Sequence, residues 1–321
     1  MRSDRRRWVL AAASIPLLQT RGARAQAAAV VPQALPVERI AAERLGGGAD
    51  PLPLRKPVPS TGEQLPVVGL GTARRYDDAS PVLRETLERF AAAGGRVIDT
   101  APSYGSAEAA VGELVEGTGL RERLFVATKV GANGREAGRA QIEESFRRLR
   151  TQRIDLVAVH NLRDVDTQLA TLRELKDEGR IRYVGITTSF DSQYADFERV
   201  MRREALDFIQ VDYALDNRGA AERLLPLALE RGMASMINLP FGRGRLFRAV
   251  QGKALPEWAA DIGCTSWAQL FLKYIVSHEA VVCAIPGTAT PEHAVDNAAA
   301  ARGPMPDAAE RRRMERFVDA L

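Results

Sequence analysis

A closed barrel of eight parallel strands, each followed by a helix, is the fold that these 321 residues predict. Three observations lead there. From Leu65 onward a short apolar strand, a turn and an amphipathic helix recur eight times over about 255 residues, the length of a (β/α)8, or TIM, barrel. The competing α/β architecture, a doubly wound open sheet, normally carries Gly-x-Gly-x-x-Gly after a strand; that spacing occurs nowhere in the chain. Finally, several of the apolar runs end on one polar or charged residue. Consecutive strand ends meet on one face of such a barrel, so these residues converge.

The strands are expected near residues 66–71, 96–100, 124–129, 156–160, 183–188, 208–213, 234–239 and 281–286. Helices are expected near 81–93, 106–117, 138–150, 166–178, 192–203, 219–231, 265–277, 291–301 and 307–320. Pro291 at a helix start and Gly179 and Gly232 at helix ends supply the usual punctuation. The long segment 240–264 follows the seventh strand and reads as one wall of the site, since loops at that face carry binding groups.

The polar strand ends are specific. Arg96-Val97-Ile98-Asp99 runs out into Thr100-Ala101-Pro102-Ser103-Tyr104-Gly105. Lys129 closes Leu124-Phe125-Val126-Ala127-Thr128-Lys129, and His160 closes Leu156-Val157-Ala158-Val159-His160. Lysine is rare here, five among 45 basic residues, so one kept at an inward strand end indicates a need for a compact ammonium.

The order Asp99, Tyr104, Lys129, His160 resembles the catalytic tetrad of the aldo-keto reductases. Flanking segments fall in the same family order: Val68-Gly69-Leu70-Gly71-Thr72, Asp155-Leu156, Gly185-Ile186-Thr187, Gln210-Val211-Asp212-Tyr213 and Ile285-Pro286-Gly287-Thr288. The resemblance covers residues 63–321. It implies reduction of an aldehyde or ketone to an alcohol with hydride from a nicotinamide cofactor. Tyr104 would be the general acid. A cation beside a phenol stabilises the phenolate it leaves behind; Lys129 would be that cation, Asp99 would fix it, and His160 would orient the carbonyl.

The resemblance also implies cofactor positions. Thr187 and Thr188 stand where the family has Ser-Asn, and Gln210 matches the other carboxamide partner. Asn238 stands where many members stack a Tyr on the nicotinamide, and Phe241 is close enough in sequence to offer a face instead. Thr288 and Asn297 fit the phosphate and adenine positions. Gly287 and His293 replace the Lys and Arg that grip the 2′-phosphate. Family habit favours NADP(H). The two replacements predict poor discrimination against NAD(H), unless Arg302 or an arginine of 240–248 reaches in.

Two other functions compete: a non-catalytic nucleotide-binding relative acting as partner or sensor, and an unrelated barrel isomerase or lyase. The intact tetrad opposes the first. The end of the last strand and the lack of metal ligands oppose the second. With three histidines and two distant cysteines, no His- or Cys-based metal site is expected. Cys264 falls in a loop and Cys283 reads as a small buried hydrophobe. His278 reads as a solvated helix-end residue.

The net charge of +4 is concentrated at the start, where residues 1–25 hold six arginines against Asp4. The remainder is near neutral, which gives no case for nucleic-acid binding. Arg5-Arg6-Arg7, the apolar run Trp8–Leu18 and Ala23-Arg24-Ala25 read as a twin-arginine signal peptide over residues 1–25, too short to span a membrane. The expectation is export to the periplasm through the twin-arginine machinery, then an Ala/Pro/Gly-rich tether over 26–62 that packs weakly or not at all, then the barrel over 63–321.

Overall fold

The computed structural model describes residues 52–321; the expected signal peptide and the first part of the expected tether lie outside them. A short antiparallel hairpin comes first, β1 (Arg55–Pro57) with β2 (Gln64–Pro66). Eight parallel strands follow in chain order: β3 (Leu70–Gly71), β4 (Val97–Asp99), β5 (Phe125–Val130), β6 (Ile154–His160), β7 (Ile181–Thr187), β8 (Phe208–Asp212), β9 (Ala234–Asn238) and β10 (Val281–Ala284). The ends of this sheet meet. Gly69 N–H donates to Ala284 O at 2.8 Å, Ala284 N–H to Val67 O at 2.9 Å, and Gly71 N–H to Pro286 O at 2.9 Å. Those bonds close the barrel and leave no open edge.

Helices alternate with the strands: α1 (Pro81–Ala92), α2 (Ala107–Thr118), α3 (Arg135–Arg148), α4 (Val165–Asp177), α5 (Tyr194–Arg203), α6 (Ala220–Glu230), α7 (Arg245–Ala249), α8 (Trp267–Val276), α9 (Pro291–Ala299) and α10 (Ala308–Asp319). Pro291 occupies the first helical turn of α9, where its missing N–H costs nothing. A reciprocal cap starts α10: the Asp307 carboxylate accepts from Ala309 and Glu310 N–H, and Glu310 accepts from Asp307 N–H. Outward strand residues such as Ile98, Val126, Val157 and Ile209 pack with Leu83, Val111, Phe146 and Leu172 of the helices in one continuous core.

The segment expected to be a weakly packed tether does not behave as one over its described residues, 52–62. It supplies β1, and the hairpin closes the lower mouth of the barrel. Val58 and Leu65 are fully buried beside Phe125, Tyr183 and Phe208, whose rings lie 5.3 to 5.8 Å apart. Lys56 Nζ donates to the His278 and Val281 carbonyls at 2.7 and 2.8 Å. Burying Val58 and Leu65 stabilises the closed end by about 1.5–3 kcal/mol each, which outweighs the weak local propensity of a proline-flanked segment.

His278 is likewise not solvated. It is half-buried, its Nδ1 accepts from Ala280 N–H, and it meets the Tyr213 ring edge-on at 5.8 Å. Burial, then the charges of Arg311 and Lys56, push its pKa down to about 4. Both cysteines are buried and free. Among the described residues no group of His, Cys, Asp or Glu is arranged to hold a metal ion, and no helix is long and apolar enough to cross a membrane.

Candidate active site

Side chains alternate across a strand, so every second residue faces the same way. Val97, Phe125, Leu156, Tyr183, Phe208 and Ala234 all belong to the cluster that fills the barrel interior. Counting up by twos from each gives Asp99, Lys129, His160, Thr187, Gln210 and Asn238. The apolar interior therefore ends, at the upper face, in a ring of polar side chains contributed by six neighbouring strands.

Asp99 and Lys129 form a buried ion pair, Nζ to Oδ2 at 2.7 Å. Lys129 Nζ also donates to Thr100 O at 2.9 Å. The other Asp99 oxygen accepts from Gln210 Nε2 at 2.7 Å, and Gln210 Oε1 accepts from Thr187 Oγ1 at 2.9 Å. Burial alone would pull the Lys129 ammonium down; the Asp99 carboxylate and then the Tyr104 phenol outweigh it, and its pKa stands above the ordinary lysine value. Lys129 is thus a permanent cation at the floor of the site.

Tyr104 comes from the loop after β4, where its N–H donates to Ala101 O and Gly105 turns the chain at φ +66°. Its half-buried ring lies with its centroid 5.0 Å from Lys129 Nζ. The His160 ring meets it edge-on, centroids 6.2 Å apart. Burial, then the charges of Lys129 and Arg163, push the His160 pKa down to about 4. The imidazole is neutral at pH 7: it can donate one N–H but holds no second proton to give. All four expected residues therefore meet at one spot.

The expected cofactor positions divide. Thr187 and Gln210 are engaged with each other and, through Asp99, with the ion pair. Thr188 Oγ1 donates to Gln193 Oε1 at 2.6 Å and accepts from Phe190 N–H. Asn238 Nδ2 donates to Thr188 O at 3.0 Å, while its Oδ1 is buried without a partner. Thr288 Oγ1, after β10, is also buried and unpartnered. Such groups are costly unless something pairs them. A ligand with amide and phosphate groups lying across β7 to β10 would do so, and these residues therefore fit a nicotinamide dinucleotide. Asn297 is buried on α9 and His293 is exposed on it.

Two expectations about this region are overturned. Phe241 packs against Phe247 and Phe271, centroids 4.8 and 6.5 Å away, so its ring serves the core beneath the loop. Arg302 follows α9 at the lower end of the barrel, where its Nη2 donates to Ala93 O, so it lies at the wrong end for a cofactor phosphate. Within 240–264, Gly242, Arg243 and Arg245 line the upper face, and farther on Trp258 packs on Phe317 of α10 while Trp267 Nε1 donates to Lys253 O.

The sequence points to one wall of this face but not to the cavity that it borders, about 370 Å³, lined by Asp212, Asp216, Asn217, Leu239, Arg243 and Arg245 among others. Asp216 Oδ2 and Arg245 Nε pair at 2.9 Å across it. Gly242, at φ +54°, is required there, because a Cβ would come within 2.6 Å of Asp216 Oδ1. The Gly242-Arg243-Gly244-Arg245 run was the available signal.

Comparison with known proteins agrees with this geometry. Residues 67–312 match the Aldo/keto reductase family. Methylglyoxal reductase YeaE of Escherichia coli is 35% identical over 248 residues, spanning 73% of this chain and 85% of that protein. An aldo-keto reductase of Klebsiella pneumoniae, solved in complex with NADPH, superposes with a TM-score of 0.70 at 29% identity, covering 83% of this chain and 95% of that one. A Klebsiella pneumoniae structure with NADP and acetate gives 0.67 at 29% identity over 80% and 93% of the two chains. With more than two thirds of its length matched, on a closed parallel barrel, the chain belongs to the aldo/keto reductase family.

Proposed function

We propose that this protein reduces an aldehyde or a ketone to an alcohol, with NADP(H) as cofactor and Tyr104 as general acid. The observation that carries the reading is the buried Lys129–Asp99 pair beneath the Tyr104 ring, with a neutral His160 at the ring's edge. Bound nicotinamide supplies the hydride, which no side chain can. As charge grows on the carbonyl oxygen, the Tyr104 hydroxyl gives it a proton. Lys129 stabilises the phenolate that remains, and Asp99, held by Gln210, keeps the ammonium in place. His160 donates its one N–H to the carbonyl oxygen and orients it. Since the relative from Escherichia coli is a methylglyoxal reductase, 2-oxoaldehydes are the first substrates to assay.

The cofactor would lie across Thr187, Thr188, Asn238, Thr288, His293 and Asn297. Its discrimination rests on Gly287 and His293. Packing does not require glycine at 287: a Cβ there would meet nothing closer than Gly71 O at 3.7 Å. Gly287 therefore leaves open a place where a cation could sit, and exposed His293 replaces an arginine. A 2′-phosphate wants charge-assisted bonds that neither supplies well. Fluorescence titration should show both NADPH and NADH binding, with less than about a hundredfold between them. Gly287→Lys should widen the gap toward NADPH. A parent preference above that limit would mean that another cation, Arg243 for instance, already holds the phosphate.

Residues 1–25 support a further part of the reading: export by the twin-arginine route to the periplasm, which suits a barrel that must close around its cofactor before crossing. Lysines at positions 5 to 7 should then leave an uncleaved precursor inside the cell. An undiminished periplasmic yield of that variant would remove the route.

A further inference from the structure

We propose that the site selects carbonyl substrates that also carry a carboxylate, and that Arg163, in the loop after β6, is the residue that binds it. This deepens the reductase reading and rests on it.

The loop holding Arg163 has a specified shape. Asn161, Leu162 and Asp164 all have φ near +50°, from +48° to +56°, a region costly for such residues unless their surroundings impose it. The ties that impose it are present: Arg163 N–H donates to His160 O at 3.1 Å, Gln193 Nε2 to Asn161 O at 3.1 Å, and Gly134 N–H to Asp164 Oδ2 at 2.6 Å. The result sets the Arg163 guanidinium on Gly131, with Nη1 donating to Gly131 O at 3.2 Å. Gly131 in turn lies against His160, since a Cβ on it would be 3.5 Å from the His160 Cβ. Arg163 and His160 therefore both lie against Gly131.

This arginine has no acid to pair with among the described residues. Its neighbour Asp164 is occupied by Gly134 N–H and the Gln168 amide. On the barrel's flank, Arg135 pairs with Glu174 and Arg139 with Glu178. Nor does its place suit the cofactor, whose fitting residues lie on the β7 to β10 side of His160. The charge field agrees, for Lys129 and Arg163 are the two cations that act on the His160 ring. A guanidinium presents donors in a rigid fork that matches a carboxylate. A neutral aldehyde would leave that fork unused.

The test compares 4-oxobutanoate with butanal, two aldehydes of equal chain length. In the parent protein kcat/KM should favour the carboxylate by about tenfold or more, the size expected of hydrogen bonds to a charged group. Arg163→Gln should bring that ratio toward one, and Arg163→Lys should restore part of it. Because each ratio is internal to one protein, partial loss of fold cancels. Butanal turnover with a parent ratio near one, or a ratio untouched by Arg163→Gln, overturns this inference alone. Failure of the parent to reduce these aldehydes and 2-oxoaldehydes and ketones alike overturns the reductase reading and this inference with it.

Discussion

Tyr104→Phe should lower carbonyl reduction by about 100- to 10,000-fold while leaving fold and cofactor affinity near the parent values. The substitution removes one oxygen and keeps the ring. The edge contact with His160, 6.2 Å between centroids, and the approach to Lys129 Nζ, 5.0 Å, both survive it. What is lost is the proton donor. His160 cannot take over at neutral pH, because burial and two nearby cations hold it deprotonated down to about pH 4. Lys129 is committed to Asp99 and Thr100 O. Steady-state turnover, near-ultraviolet circular dichroism and cofactor titration read the three quantities separately. Near-parental turnover in the variant would take the role of acid away from Tyr104.

The barrel was legible because its signals are local and repeated. Each strand is a short apolar run and each helix is an amphipathic stretch, so a period count finds both. The polar ring was legible for a related reason: period two carries an inward residue from Phe125 to Lys129 without any tertiary knowledge. The hairpin over Arg55–Pro66 was not legible. Its partners, the His278 and Val281 carbonyls, are more than 200 residues away, and its Pro-rich composition reads locally as a linker. Phe241, His278 and Arg302 failed in the same way. The first two looked free on local sequence and are held by Phe271 and by Ala280 N–H, and Arg302 looked near the site but lies at the opposite end. Gln210 shows a subtler limit. The family pattern assigns it to the cofactor and does not show its second role, an amide that ties Asp99 to Thr187.

Lys129→Met should both destabilise the protein and remove activity, and a second substitution should separate the two effects. Lys129 is 1% exposed and Asp99 3%. Removing the ammonium leaves a buried carboxylate with the Gln210 amide as its remaining side-chain donor, a loss worth about 3–5 kcal/mol in comparable buried pairs. Adding Asp99→Asn removes the stranded charge. A neutral amide beside the new thioether costs far less than an unpaired carboxylate, so much of the stability should return. Activity should not return, because no cation then stands beneath the Tyr104 ring to stabilise a phenolate. Urea unfolding midpoints and kcat/KM for one aldehyde, measured on the two single variants and the double variant, provide the comparison. A double variant as unstable as Lys129→Met would show that the cost lies in packing around the methionine, not in the charge. A double variant that recovers activity along with stability would show that Lys129 serves the fold and not the proton transfer.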